Sequence, residues 1–225
     1  MRMNDLKLGI RLLRYAYELK KNLMLLAFFI AGDILCFALE LMGIEPAYTG
    51  MGGYLLCAVG MLPVQFLFSL NTASAVLSSP LRKRLQTSVP AIVSFGTMAL
   101  GFFFLVLQKL AAALIQPERI EQICMQITGI ALLAAVIMVY DGVLYKFFIA
   151  FFGMSFTGPL LVNFYYFIFM DWNLFENKMA SLMWSILLGF ALITAGAAIE
   201  YGLLRLFYRK PVSPRSVGGN LKNEL

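Results

Sequence analysis

Apolar residues run almost unbroken through six stretches, 23–42, 53–77, 89–115, 121–140, 143–170 and 179–208, and polar or turn-forming residues gather between them. About 20 apolar residues cross the hydrocarbon core of a bilayer as a helix. The pattern therefore predicts an all-α polytopic membrane protein with six transmembrane helices. The breaks carry turn chemistry: Pro46 within 43–53, Pro80 within 78–88, Pro117 within 116–119, the pair Asp141-Gly142, and Asp171 to Lys178. Proline removes a backbone donor and fixes φ, and glycine admits conformations that end helices. Asp141-Gly142 is the shortest break, and the parity of the count depends on its being a turn. Ahead of the first span, Leu6, Ile10, Leu13 and Tyr17 recur at helical spacing, and Lys7, Arg11, Arg14 and Glu18 follow one position later. This predicts an amphipathic interfacial helix over 4–21 with its basic face toward headgroups. With Pro211, Pro214, Gly218 and Gly219, residues 211–225 read as a disordered cytoplasmic tail, which leaves 1–210 as a single transmembrane domain.

Composition agrees with the pattern and charge orients it. The chain is 61% hydrophobic and 13% charged, against about 25% charged in a soluble domain. Lys and Arg beside a span resist translocation. Six spans place fifteen of the eighteen cations on one side, leaving only Lys109, Arg119 and Lys178 opposite; five or seven spans would separate the basic ends. The expected arrangement is a multi-pass membrane protein with both termini cytoplasmic. The net charge of +6 is spread along one membrane face and suits lipid headgroups rather than nucleic acid. Histidine is absent, and Cys36, Cys57 and Cys124 all lie in apolar runs. These facts exclude a histidine-bearing triad or zinc site and imply no disulfide framework. With no Gly-x-Ser-x-Gly elbow and no phosphate-binding loop, the expectation is no enzyme, no metal and no cofactor in this chain.

Polar residues at membrane depth are the first candidates for function. Asp33 lies ten residues into the first span, near the midplane, and Glu40 follows on nearly the same face close to the outer end, within reach of water. A charge at the bilayer centre costs from about 2.5 kcal/mol upward, so a carboxylate there calls for a partner or a proton. Two readings of Asp33 stay open, one in transport or proton coupling and one as a hydrogen-bonded tie between helices. Asn71 in the second span and Asn163 in the fifth are read as packing first and substrate contacts second. Glu200 reads as paired with Arg205 or reaching to the interface. Thr194, Ala198 and Gly202 form a small-residue stripe on the sixth span, suited to close packing within the subunit or against a twin. The aromatic residues dense around the fifth span suit either lipid contact or an amphipathic cargo.

The connection Ser78-Ser79-Pro80-Leu81-Arg82-Lys83-Arg84-Leu85-Gln86-Thr87-Ser88-Val89-Pro90 is the second candidate. Two prolines bracket a short helix-compatible stretch with three consecutive cations and with Leu81 and Leu85 four apart, able to present leucines to a cytosolic surface. Plain positive-inside decoration is the competing reading. An amphipathic helix, two spans, this short basic loop and four further spans together resemble the permease subunits of type-2 ABC exporters, small bacterial class. The resemblance covers the layout of the whole chain and is motif-specific over 78–90. It implies that Pro80, Leu81, Arg82, Lys83, Arg84 and Leu85 dock on a separate ATP-binding subunit, with the N-terminal helix packed beside them. It also implies a second permease copy or paralogue, ATP and Mg held by the partner ATPase, and outward movement of a lipid-like, peptide or drug-like substrate. Many members carry a re-entrant hairpin before the sixth span; here 170–178 is short, and Gly158-Pro159 offers the alternative break. The rival classes are an ion-coupled secondary transporter or channel using Asp33, and a substrate-binding subunit of a vitamin importer.

Overall fold

The computed structural model describes residues 7–8, 19–43, 46–70, 80–144, 147 and 178–210. Within them the chain is helical: α1 Leu19–Leu41, α2 Pro46–Leu70, α3 Arg82–Gln86, α4 Ser88–Ile115, α5 Ile120–Leu144 and α6 Lys178–Leu206, with a 3₁₀ turn at Pro117–Arg119 between α4 and α5. No strand occurs among the described residues. Four stretches are long and apolar enough to cross a membrane: Leu23–Leu41, Arg82–Ile115, Pro117–Leu144 and Ser181–Leu206; α2 contributes a shorter apolar stretch, Gly52–Val64. Most of the expected interfacial helix, the expected fifth span beyond Leu144 except Phe147, Asn71, Asn163 and the tail lie outside the described residues.

Three boundaries differ from the sequence pattern, each for a local reason. Helix α1 starts at Leu19, so its first turn takes in Lys20 and Lys21. Helix α2 starts at Pro46 rather than at 53, because proline suits the first helical position, where its missing donor costs nothing. Helix α5 runs through Asp141-Gly142 to Leu144, so that pair is not a turn. Gly43 does end α1 as a glycine should: its φ of 77° is left-handed, and its N–H donates to Glu40 O at 3.0 Å. The side chain of Gln116 donates to Glu40 O and Leu41 O at 3.3 and 3.4 Å, and Arg119 donates to Gly43 O. The α4–α5 connection thus covers carbonyls that the end of α1 leaves without helical partners.

Small residues set how the helices meet. Gly60 on α2 receives Met98 of α4, while Thr97 Oγ1 donates to Gly60 O at 2.8 Å. Gly53 of α2 lies against Ile130 of α5, where a Cβ would come within 2.5 Å. On α6, Gly196 sits on Ala135 of α5, and Gly189 receives the ring of Phe102, which also stacks edge-on against Phe190 at 5.0 Å. Helix α5 is central and mostly buried, whereas α1 is largely exposed and packs mainly on α2. Ile127, Ala131 and Met138 of α5 are fully buried, with Leu105 of α4 and Ile193 of α6 in the same core.

The pairings also fix direction. Ala135 lies beside Gly196, and Gly142 beside Glu200, so both numbers rise together and α5 and α6 run parallel. The hairpins α1–α2 and α4–α5 are antiparallel, and α4 meets α2 antiparallel through Met98–Gly60 and Gly101–Leu56.

Candidate functional site

Asp33 and Glu40 lie two helical turns apart on the one buried stripe of α1, and both face α4. Glu40 is 5% exposed and Lys109 of α4 is 2% exposed; Lys109 Nζ donates to both carboxylate oxygens at 2.7 Å. The expectation that Glu40 reaches water is thus overturned, because Lys109 crosses the seam to meet it inside the bundle. Beside Lys109, Gln108 Nε2 donates to Asp33 Oδ2 at 2.6 Å. Asp33 is 3% exposed, and its other oxygen, Oδ1, has no hydrogen-bond partner among the described residues. Gly52 of α2 makes the room: a Cβ there would lie 3.1 Å from Asp33 Oδ1.

These groups line a cleft of about 190 Å³, open mouth included, with Cys36, Phe37, Gly53 and Leu105. Leu105 also lines a neighbouring narrow apolar crevice between α2, α4 and α5, with Leu56, Met98, Phe102 and Ile130 among others, which has room for no more than about one water. Two carboxyl groups face one ammonium, so with both ionised the cleft carries one negative charge in excess. Such an arrangement holds a cationic or hydrogen-bond-donating group; among the described residues no group of three or more His, Cys, Asp or Glu is placed to hold a metal ion.

The basic connection forms an elbow at the other end of the bundle. Pro80 and Leu81 turn into α3, and Thr87, at φ −128° and ψ −73°, breaks α3 from α4. Hydroxyls brace the break: Thr87 Oγ1 donates to Lys83 O at 2.6 Å and Ser88 Oγ to Arg84 O at 3.3 Å. Arg82 and Lys83 are exposed and Arg84 is half-buried. Leu81 faces outward, but Leu85 is 6% exposed and packs with Leu67, Val89 and Val93. The expectation that both leucines are presented outward is corrected for Leu85, which packs into the apolar cluster between α2 and α4 and anchors the elbow. Leu8, from the N-terminal segment, packs on the same apolar cluster.

The remaining candidates divide. Thr194, Ala198 and Gly202 lie on the exposed face of α6, where a Cβ on Gly202 would meet nothing within 4 Å. Close packing inside this chain runs instead through Gly189 and Gly196. Glu200 neither pairs with Arg205, which is exposed, nor reaches the surface: it is 0% exposed and turned toward Asp141. Asn71 and Asn163 are outside the described residues. Sequence reasoning missed Lys109 and Gln108 as partners and Asp141 as a buried acid. The available signal was Lys109 itself, a lone cation six residues inside the end of a 28-residue apolar helix.

No protein-family model matches the chain, and no curated protein and no solved structure matches it. Fold and site together define an all-α protein whose apolar helices fit a membrane-embedded bundle with ion-paired polar groups between them.

Proposed function

We propose that this chain is the permease subunit of an ATP-driven exporter in a bacterial plasma membrane. It works with a separate ATP-binding subunit and a second permease copy or paralogue. Six spans with both termini cytoplasmic fit the parallel course of α5 and α6, which calls for one further crossing between them. The observation that carries the reading is the elbow over 80–88. It presents Arg82 and Lys83 outward, is tied to the core through Leu85 and is touched by Leu8 of the N-terminal segment. A short lever with an exposed basic face and a buried anchor transmits a push from a cytosolic partner to α4, and through α4 to the cleft at Gln108 and Lys109. The cargo of this reading is lipid-like, peptide or drug-like.

The tagged chain, purified in mild detergent from its native membrane, is expected to bring down a chain with a phosphate-binding loop. R82E/K83E is expected to lose that chain while melting like the parent, since both side chains are exposed. Recovery without any such ATPase ends the reading. A second reading, ion-coupled transport, is favoured by the buried, unpartnered Oδ1 of Asp33. It expects proton flux in liposomes that D33N abolishes; equal flux from parent and D33N removes it.

A further inference from the structure

At the elbow end of the bundle, two carboxyl groups are buried along one helix–helix seam. Asp141 on α5 and Glu200 on α6 are each 0% exposed. Among the described residues, none of their four carboxyl oxygens has a hydrogen-bond partner. They belong to a seam where the two backbones nearly touch: a Cβ on Gly142 would stand 3.2 Å from the carbonyl oxygen of Glu200 and 3.3 Å from its Cα. From a third helix, Ser94 of α4 is also 0% exposed and sends its hydroxyl toward the Glu200 carboxyl, yet its Oγ meets no partner at hydrogen-bond geometry.

The other charged or titratable groups of the surrounding elements are engaged or placed elsewhere. The one cation of α4, Lys109, is held by Glu40 near the opposite end. On α5, Glu121 and Cys124 stand at the far end, and Tyr140 has an interaction of its own. On α6, Tyr201 and Arg205 are exposed, and Lys178 opens the helix at its other end. Tyr48, Tyr54 and Cys57 of α2 lie in its first half, away from this seam. On α3, which packs on α4, Arg82 and Lys83 are exposed and Arg84 is half-buried.

Two ionised carboxylates cannot share a water-free seam without a compensating positive charge, because each is costly to desolvate and the two repel. Carboxylate and hydroxyl oxygens converging from three helices are also the donor set that hard cations take. From this geometry we infer that Asp141, Glu200 and Ser94 form an intramembrane site for one monovalent cation, a proton or sodium. Occupied, the site locks the α5–α6 seam; when water enters between Gly142 and Glu200, the cation leaves toward the elbow end. The inference is independent of the ATP-driven reading, and failure of either leaves the other standing.

Two arms test it on the full chain in lipid nanodiscs. In sodium-free buffer near neutral pH, a shared proton gives the infrared carbonyl stretch of a protonated carboxylic acid. At alkaline pH, a sodium site binds radioactive sodium with one ion per chain. The wild type is expected to show one of these signals, and D141N/E200Q to lose it. S94A removes only a hydroxyl and serves if the amide pair does not fold: it is expected to shift the acid band or to weaken sodium binding about tenfold. Absence of both signals in the wild type, or a signal unchanged in every variant that folds, overturns the site.

Discussion

The Glu40–Lys109 pair shows how much one residue can hold in this bundle. Both partners are buried and the ammonium bonds both carboxylate oxygens, so removing either leaves an unpaired charge in a dry place. Lys109→Met is expected to cost about 3–5 kcal/mol, whereas Lys109→Met with Glu40→Leu is expected to recover most of it, since buried pairs are replaceable by apolar groups of similar size. Melting of the detergent-solubilised chain checks this; a double variant as unstable as the single one would show that the pair does more than neutralise itself. Glu40 stood out in the sequence as an acid within an apolar run, and its shared face with Asp33 followed from their spacing. Lys109 was visible only as a cation on the far side of the bilayer. Its partner is 69 positions away, and no local pattern states which faces of two helices will meet.

At the scale of the element, glycine placement separates packing surfaces from free ones. Gly196 has Ala135 Cα 2.8 Å from where its Cβ would be, so Gly196→Ala must push two backbones apart. The expected loss is about 1–3 kcal/mol. Gly202→Ala, with open space around it, is expected to melt like the parent. Equal melting of the two variants would mean that α6 does not lie on α5 in this register. Thr194, Ala198 and Gly202 have the four-residue spacing of a packing stripe, but spacing does not tell which stripe is covered inside the chain, and here that stripe is the one through Gly189 and Gly196. Asp141-Gly142 misled for a related reason. Aspartate followed by glycine is a common turn pair, but here the missing side chain of Gly142 lets the α6 backbone come close, and the helix continues.

For the whole molecule, the parallel course of α5 and α6 is the informative fact. It places the end of α6 with the start of α4 and of α1, at the end that carries Arg82, Lys83, Arg205 and Arg209. Single cysteines introduced at Lys7 and Arg209 in a cysteine-free background are therefore expected to react with an impermeant maleimide from the same side of a sealed vesicle, and one at Glu118 from the opposite side. Labelling of Lys7 and Arg209 from opposite sides would break the proposed topology.

The sequence by itself determined the class: run length and apolarity set membrane-length helices, glycine and proline set several of their ends, and a spacing of seven put Asp33 and Glu40 on one face. These are local properties, carried by neighbours along one helix. Only the tertiary structure decided that Lys109 meets Glu40, that Asp141 faces Glu200, that Leu85 anchors the elbow and that α6 runs beside α5 in the same direction. Those outcomes depend on which faces of separate helices bury one another, and that is settled by the close fit of glycines such as Gly53, Gly60 and Gly196 against side chains dozens of positions away.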